Sequence, residues 1–227
     1  MKLNELRKIC RRQSDYFFTI LITNELSLLL TWLLLKTRIT PNTITVMAIF
    51  SGVLCGIFYA IGNFWAGSFF MFFGHILDCT DGNLARAKNQ FSPIGKWLDM
   101  IGDRLSHSFV LAGVSIYFFN QSNSTIWSYL ALIDLILLLN YYYSVDIAIA
   151  HKLFPAAQKT NRFVLKGVPI RLGLYEPVIY GFVFLAPFGL IKIHLILILI
   201  FSLFGISFQF YTKFKFTENQ KLTHRGP

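Results

Sequence analysis

Four of the eleven acidic residues in this 227-residue chain fall between positions 78 and 103. The first pair lies in Asp78-Cys79-Thr80-Asp81-Gly82-Asn83-Leu84-Ala85-Arg86. The second lies in Gly95-Lys96-Trp97-Leu98-Asp99-Met100-Ile101-Gly102-Asp103. Asp78 and Asp81 are spaced i,i+3, and Asp99 and Asp103 i,i+4, so on helices each pair projects from one face. Both stretches sit in apolar sequence, where carboxylates are costly and usually functional. Four of them cannot gather there unless something neutralises them, because like charges at close range drive protonation. A divalent cation is the economical answer, and all-oxygen ligation selects a hard ion, Mg2+ or Mn2+. No His or Cys accompanies the acids at zinc spacing. His75, one turn before Asp78, reads as an interhelical hydrogen-bonder. A competing reading makes the acids structural partners of Arg86, Lys88, Lys96 and Arg104.

Gly82 and Ala85 are small enough to let a ligand or another helix approach the backbone. Arg86 offers a planar fork suited to phosphate. Metal ions beside an arginine and a small-residue floor suit a pyrophosphate, and the chemistry implied is phosphoryl transfer.

The elements that must position these residues are membrane helices. Apolar residues make up 55% of the chain and charged ones 14%, against about 45–50% and 25% in ordinary soluble domains. So few charges cannot cover the surface of a soluble domain. Disordered chains, soluble nucleic-acid modules and disulfide scaffolds are excluded, and no nucleic-acid partner is expected. Cys10, Cys55 and Cys79 are scattered without metal or disulfide spacing. The basic start, Lys2 to Arg12, meets the apolar stretch 17–35 without a small-residue cleavage site, so no signal peptide is expected.

Six crossings are expected: Thr43–Ile61, Trp65–Leu84, Ile94–Phe119, Ile126–Ala150, Pro177–Ile191 and Ile193–Tyr211. A turn around Asn89–Pro93 would join the second and third as an antiparallel hairpin, letting the acidic faces meet. With the N-terminus inside, 19 of the 21 Lys and Arg fall in cytoplasmic segments, which sets both termini in the cytoplasm. The net charge of +10 then faces anionic lipid head groups. Phe17–Leu35 reads as an amphipathic helix on the cytoplasmic surface, since a seventh crossing would place the basic start outside. The expected architecture is all-α and integral to the membrane, with the active site facing the cytoplasm (the inner membrane of a bacterium). Its parts are an interfacial segment 1–42, a six-helix catalytic domain 43–215 and a cytoplasmic tail 216–227.

The pattern D-x-x-D-G-x-x-A-R-x8-G-x3-D-x3-D resembles the signature of the CDP-alcohol phosphotransferase (phosphatidyltransferase) family. All eight fixed positions are present: Asp78, Asp81, Gly82, Ala85, Arg86, Gly95, Asp99 and Asp103. Thr40-Pro41-Asn42-Thr43-Ile44-Thr45 is similar to the T-P-N-x-[ILV]-T element before that family's first core helix. The resemblance implies transfer of a phosphoalcohol group from a CDP-linked donor to an acceptor hydroxyl, with release of CMP. It implies two divalent ions held by Asp78, Asp81 and Asp99, with Asp103 as general base and a possible ligand of the second ion. Gly82, Ala85 and Arg86 would line the CDP site, with Asn42, Thr45 and Ser92 as further nucleotide contacts. It also suggests a homodimer. CDP-diacylglycerol with a polar acceptor is the preferred pair; a soluble CDP-alcohol such as CDP-choline, CDP-ethanolamine or CDP-inositol with a lipid or polyol acceptor is the alternative.

Other residues leave choices open. Lys166 and Arg171, in the basic loop His151–Tyr175, either anchor the cytoplasmic face or bind a phosphorylated acceptor. Asp146 either points into the same cavity as the acids or makes a structural pair. Glu176 is a candidate partner of Arg171, and Tyr141-Tyr142-Tyr143 suits the membrane interface. A cation transporter would distribute acids through the bilayer depth and leave Gly82, Ala85 and Arg86 unexplained; a purely structural scaffold would tolerate loss of the acids.

Overall fold

The computed structural model describes residues 2–12, 14–122, 124–151, 164–170, 173 and 175–223. Helix α1 (Leu3–Cys10) is followed by a π-helical turn, Thr19–Thr23, and α2 (Asn24–Leu34). The long helices then come in order: α3 (Pro41–Ala60), α4 (Phe64–Lys88), α5 (Pro93–Phe119) and α6 (Thr125–Ala150). A small hairpin, β1 (Val164–Leu165) and β2 (Val168–Pro169), precedes α7 (Tyr175–Phe184) and α8 (Ile191–Thr223).

Two hydroxyl–proline pairs start the helices around the acids. Thr40 accepts a hydrogen bond from Thr43 N at 3.3 Å, with Pro41 opening α3. Ser92 does the same for Gly95 N at 3.0 Å, with Pro93 opening α5. The hydroxyl satisfies a donor left over by the first turn, and proline's fixed φ and missing N–H cost nothing there. Asn89 ends α4 in the left-handed region at φ 53, a conformation asparagine tolerates.

Helix α3 is the central post, and α4 and α5 both pack along it rather than on each other. Its contact with α5 is close enough that a Cβ on Gly113 would run into the backbone of Gly56. Small residues of this kind let membrane helices approach where no hydrophobic force drives them together. Helix α6 packs on α5, α8 on α6, and α7 on α4. Tyr59, Val110, Leu111, Leu138, Phe182 and Leu195 form the buried core.

Three helices are long and apolar enough to cross a bilayer: α3, Thr125–Ala148 of α6, and Ile191–Phe214 of α8. The chain is thus built as a helical membrane protein. Helices α4 and α5, 25 and 27 residues long, reach the needed length. Their acids and histidines break the apolar run. The first four expected crossings begin within two residues of α3 to α6.

Elsewhere the structure departs from expectation. The fifth apolar run ends at Phe184, and a 3-10 turn at Ala186–Phe188 and Gly189, at φ 76, reverse the chain. Helix α8 runs past Tyr211 and past position 215 to Thr223, because no Gly or Pro stops it. The hairpin was not expected in an all-α chain. Its turn, Lys166-Gly167, has φ 49 and 74, a type I′-like geometry that matches strand twist.

The segment 17–35 is amphipathic with its polar stripe turned inward. Thr19, Thr23, Ser27 and Thr31 are buried, while Leu29 and Leu33 are half exposed. Asn83 donates to Ser27 at 3.0 Å, and Thr23 hydrogen-bonds Tyr180. Facing lipid with apolar side chains and protein with hydroxyls satisfies both environments.

Candidate active site

The acids meet across a cleft floored by the start of α3. One carboxylate oxygen from each of Asp78, Asp81 and Asp99 lies within 4.8 Å of the others. Thr45, on α3, donates to Asp81 at 2.5 Å and holds that carboxylate in place. Two negative charges at such a separation repel by roughly 3–4 kcal/mol at an effective dielectric of about 20. Three carboxylates so placed fit a hard divalent ion in donor type and spacing. Asp103 sits one turn beyond Asp99. The Tyr175 hydroxyl, at the start of α7, lies 3.2 Å from Asp103 and 3.3 Å from Asp78, and donates toward both.

The basic neighbours do not neutralise this cluster. Arg104 pairs with Asp146, and Arg86 donates to Asn83 at 2.7 Å. Lys88 caps the carbonyls of Thr37 and Ile39 at 2.9 and 2.8 Å. Among the described residues no ion pair involves any of the four acids. The reading of the acids as structural partners therefore lacks its partners. His75, Asp78 and Cys79 also bring ligand atoms together. His75 Nε2, however, lies 3.3 Å from the Thr19 hydroxyl, the interhelical contact expected of it.

Two large cavities open onto the acids, with a small one, of about 40 Å3, behind Asp78, Asp99 and Asp103. The first, of about 430 Å3, is lined by Asn42, Thr45, Gly82, Ala85, Arg86 and Ser92, together with Asp81, Gly95 and Asp99. Every residue expected at the nucleotide is on this one wall. A Cβ on Gly82 would find no atom closer than 3.6 Å, so its small size leaves room for a ligand, not for a packed helix. At Gly95 a Cβ would lie 2.7 Å from Asn42 Oδ1 and 2.9 Å from Ser92 Oγ, so only glycine keeps this wall open.

The second cavity, of about 460 Å3, touches all four acids from the other side. Its remaining wall includes Arg12, Asp15, Tyr16, Arg104, Tyr142 and Asp146. Asp146 thus both faces the cavity and makes a pair, and Tyr142 lies in the cavity wall. Arg12, part-buried, pairs with Asp15 at 3.4 Å. Burial opposes its charge, but the surrounding acidic groups, Cys79, Asp15 and Asp78 foremost, outweigh that and raise its pKa above the ordinary arginine value.

Arg12, Tyr16 and Tyr175 were not anticipated from sequence. Nothing in their local spacing marks them, because they reach the site from the N-terminal segment and from α7. Lys166 borders a different cavity, and Arg171 lies outside the described residues. Glu176 accepts from Thr19 N at 2.6 Å.

A profile of the CDP-alcohol phosphatidyltransferase family matches residues 38–203. A phosphatidylinositol phosphate synthase of Cutibacterium acnes is 30% identical over 99 residues, which is 43% of this chain and 48% of that protein. The chain thus matches about half the length of this curated relative. The fold is that of the phosphatidylinositol phosphate synthase of Mycobacterium tuberculosis. Its structure with CDP-DAG bound has a TM-score of 0.66 at 20% identity, covering 85% of this chain and 93% of that one. Its structure in complex with manganese and citrate has a TM-score of 0.67 at 20% identity, covering 82% and 87%.

Proposed function

The chain belongs to the CDP-alcohol phosphatidyltransferase family, and on that premise we propose that it moves a phosphatidyl group from CDP-diacylglycerol to an acceptor hydroxyl and releases CMP. One observation carries most of the reading. The six residues expected at the nucleotide line a single cavity whose floor includes Asp81 and Asp99, two of the converging acids.

Asp78, Asp81 and Asp99 would hold the divalent ions, two in number and Mg2+ or Mn2+, with Asp103 completing the second position. Bound there, such ions would offset the charge on the pyrophosphate and on the departing CMP. Arg86 binds the pyrophosphate as a planar fork, while Gly82 and Ala85 leave it room. Asn42, Thr45 and Ser92 border the nucleotide. Asp103 takes the proton from the acceptor hydroxyl, and Tyr175 holds its carboxylate toward the cavity. The acceptor oxygen attacks the β-phosphorus in line, without a covalent enzyme intermediate. Arg12, Tyr16 and Tyr142 wall the acceptor's cavity; Lys166 borders a different cavity, and Arg171 lies outside the described residues.

In the bilayer, α3 to α6 and α8 cross in full and α7 with the turn to Phe188 makes the short fifth of six passes, with both termini and the site at the cytoplasmic face, and the chain forms a homodimer. Segment 1–42 serves as the interfacial region and lends Arg12 and Asn42 to the site, segment 43–215 is catalytic, and the tail from 216 begins as a continuation of α8. The distribution of Lys and Arg supports the orientation.

The test is CMP release by purified protein given CDP-diacylglycerol, Mg2+ and a panel of inositol 1-phosphate, glycerol 3-phosphate and serine. Asp103→Asn should lower the rate at least about a hundredfold. Release only from CDP-choline or CDP-inositol would transfer the reading to the soluble-donor alternative. Metal flux in proteoliposomes with no CMP from any donor would replace it with transport.

A further inference from the structure

A third large cavity, of about 590 Å3, lies between α1, the start of α2 and the β1–β2 turn. Five cationic side chains border it against two carboxylates. Arg7 is paired with Glu25 at 2.7 Å, and Arg12 with Asp15 at 3.4 Å. Lys8, Arg11 and Lys166 have no carboxylate partner among the described residues.

The fold brings these three charges together deliberately. Arg11 donates to the Gly167 carbonyl at 2.6 Å and so pins the hairpin turn to the end of α1. Lys166 takes the first position of the type I′-like turn, φ 49, and so is held at the cavity's edge beside Arg11. A Cβ on Gly167 would come within 2.8 Å of the Arg11 guanidinium, so glycine is what allows the pin. The carboxylates of the catalytic cluster do not compensate these charges. The Arg12–Asp15 pair borders both cavities and stands between them.

We propose that this cavity is a phosphate-binding site, separate from the metal-facing cavity, in which Lys8, Arg11 and Lys166 hold the phosphate of a second ligand. Phosphate suits the set because it carries close to two negative charges and three acceptor oxygens, one for each cation. A soluble phosphorylated alcohol presents that full set, while the phosphodiester of an anionic lipid head group presents one charge and two free oxygens to the same cations. The site rests on its own geometry, and its test needs no turnover, so it stands or falls apart from the transferase reading.

Lys8 and Lys166 are both exposed to reagent. The full chain would be acetylated in detergent, and the rates at Lys8, Lys166 and the control Lys36 read by mass spectrometry. One pair of arms compares sodium phosphate with sodium chloride at equal ionic strength. Another compares nanodiscs of phosphatidylglycerol with nanodiscs of phosphatidylcholine. A slowing of about tenfold at Lys8 and Lys166, relative to Lys36, is expected from a charged hydrogen bond to phosphate. Slowing in phosphate identifies a soluble ligand, and slowing only in phosphatidylglycerol identifies the lipid. Lys166→Gln should return Lys8 to the control rate, and Arg11→Gln should release both lysines. Rates that track Lys36 in every arm, or protection that survives both substitutions, would overturn the site.

Discussion

The cavity on the Asn42 and Ser92 side of the acids is lined by residues 41–99 alone, from three consecutive helices and the turn between two of them. The cavity on the Arg12 side draws on five separate stretches of chain, at 12–19, 75–86, 99–104, 141–146 and 175. Both share Asp81, Gly82, Arg86 and Asp99. The first is a local construction, whose side chains are aimed by helix periodicity and two capped helix starts. The second exists only once the N-terminal segment, α6 and α7 have docked. A family-wide donor and a variable acceptor would be served by this division: one wall built by a contiguous motif, the other by elements free to differ.

That division can be tested by asking whether the two walls fail together or apart. Chelation should disable both. EDTA is expected to lower CMP release at least about a thousandfold, with recovery on adding Mg2+ or Mn2+; a loss confined to the binding of one substrate would break the comparison. Tyr175→Phe comes next, since it removes the hydroxyl that reaches both Asp78 and Asp103. An orienting partner of a metal-ligating group is worth roughly 10–100-fold, so kcat should fall by that factor while the KM for CDP-diacylglycerol stays put. Gly95→Ala puts a methyl against Asn42 and Ser92. Steady-state kinetics should show the donor KM rising about tenfold, the cost of one lost methyl-sized gap plus a disturbed polar contact, with the acceptor KM unchanged. The smallest effect is expected from Arg12→Gln, which should raise only the acceptor KM, by about fivefold, the value of a modest charged hydrogen bond. If Gly95→Ala and Arg12→Gln moved both KM values equally, the two cavities would be one.

Much of the frame was legible from the chain. Helices α3 to α6 begin within two residues of where the long apolar runs place them. The break at Ala186–Phe188 was missed because an apolar run of fifteen or so residues in lipid is indifferent to a single Pro or Gly until its packing is known. The hairpin was missed because its strands are only two residues each, too short for alternation to show. The inward turn of the polar stripe in 17–35 was not legible for a related reason. Threonines at four-residue spacing mark one face, but only the neighbours Glu176, Tyr180 and Asn83 determine whether that face meets water or protein.

The linear order of residues settled the acids, their helical spacing, the small residues beside them and hence the hardness of the ion they suit. These follow from periodicity and donor type, which operate within a few turns of one helix. The tertiary structure decided that α4 and α5 converge through α3 instead of touching, that Tyr175 bridges two carboxylates, and that Arg12 closes the second cavity. Those outcomes depend on complementary surfaces far apart in the chain. No local rule relates such surfaces until packing brings them within hydrogen-bonding distance.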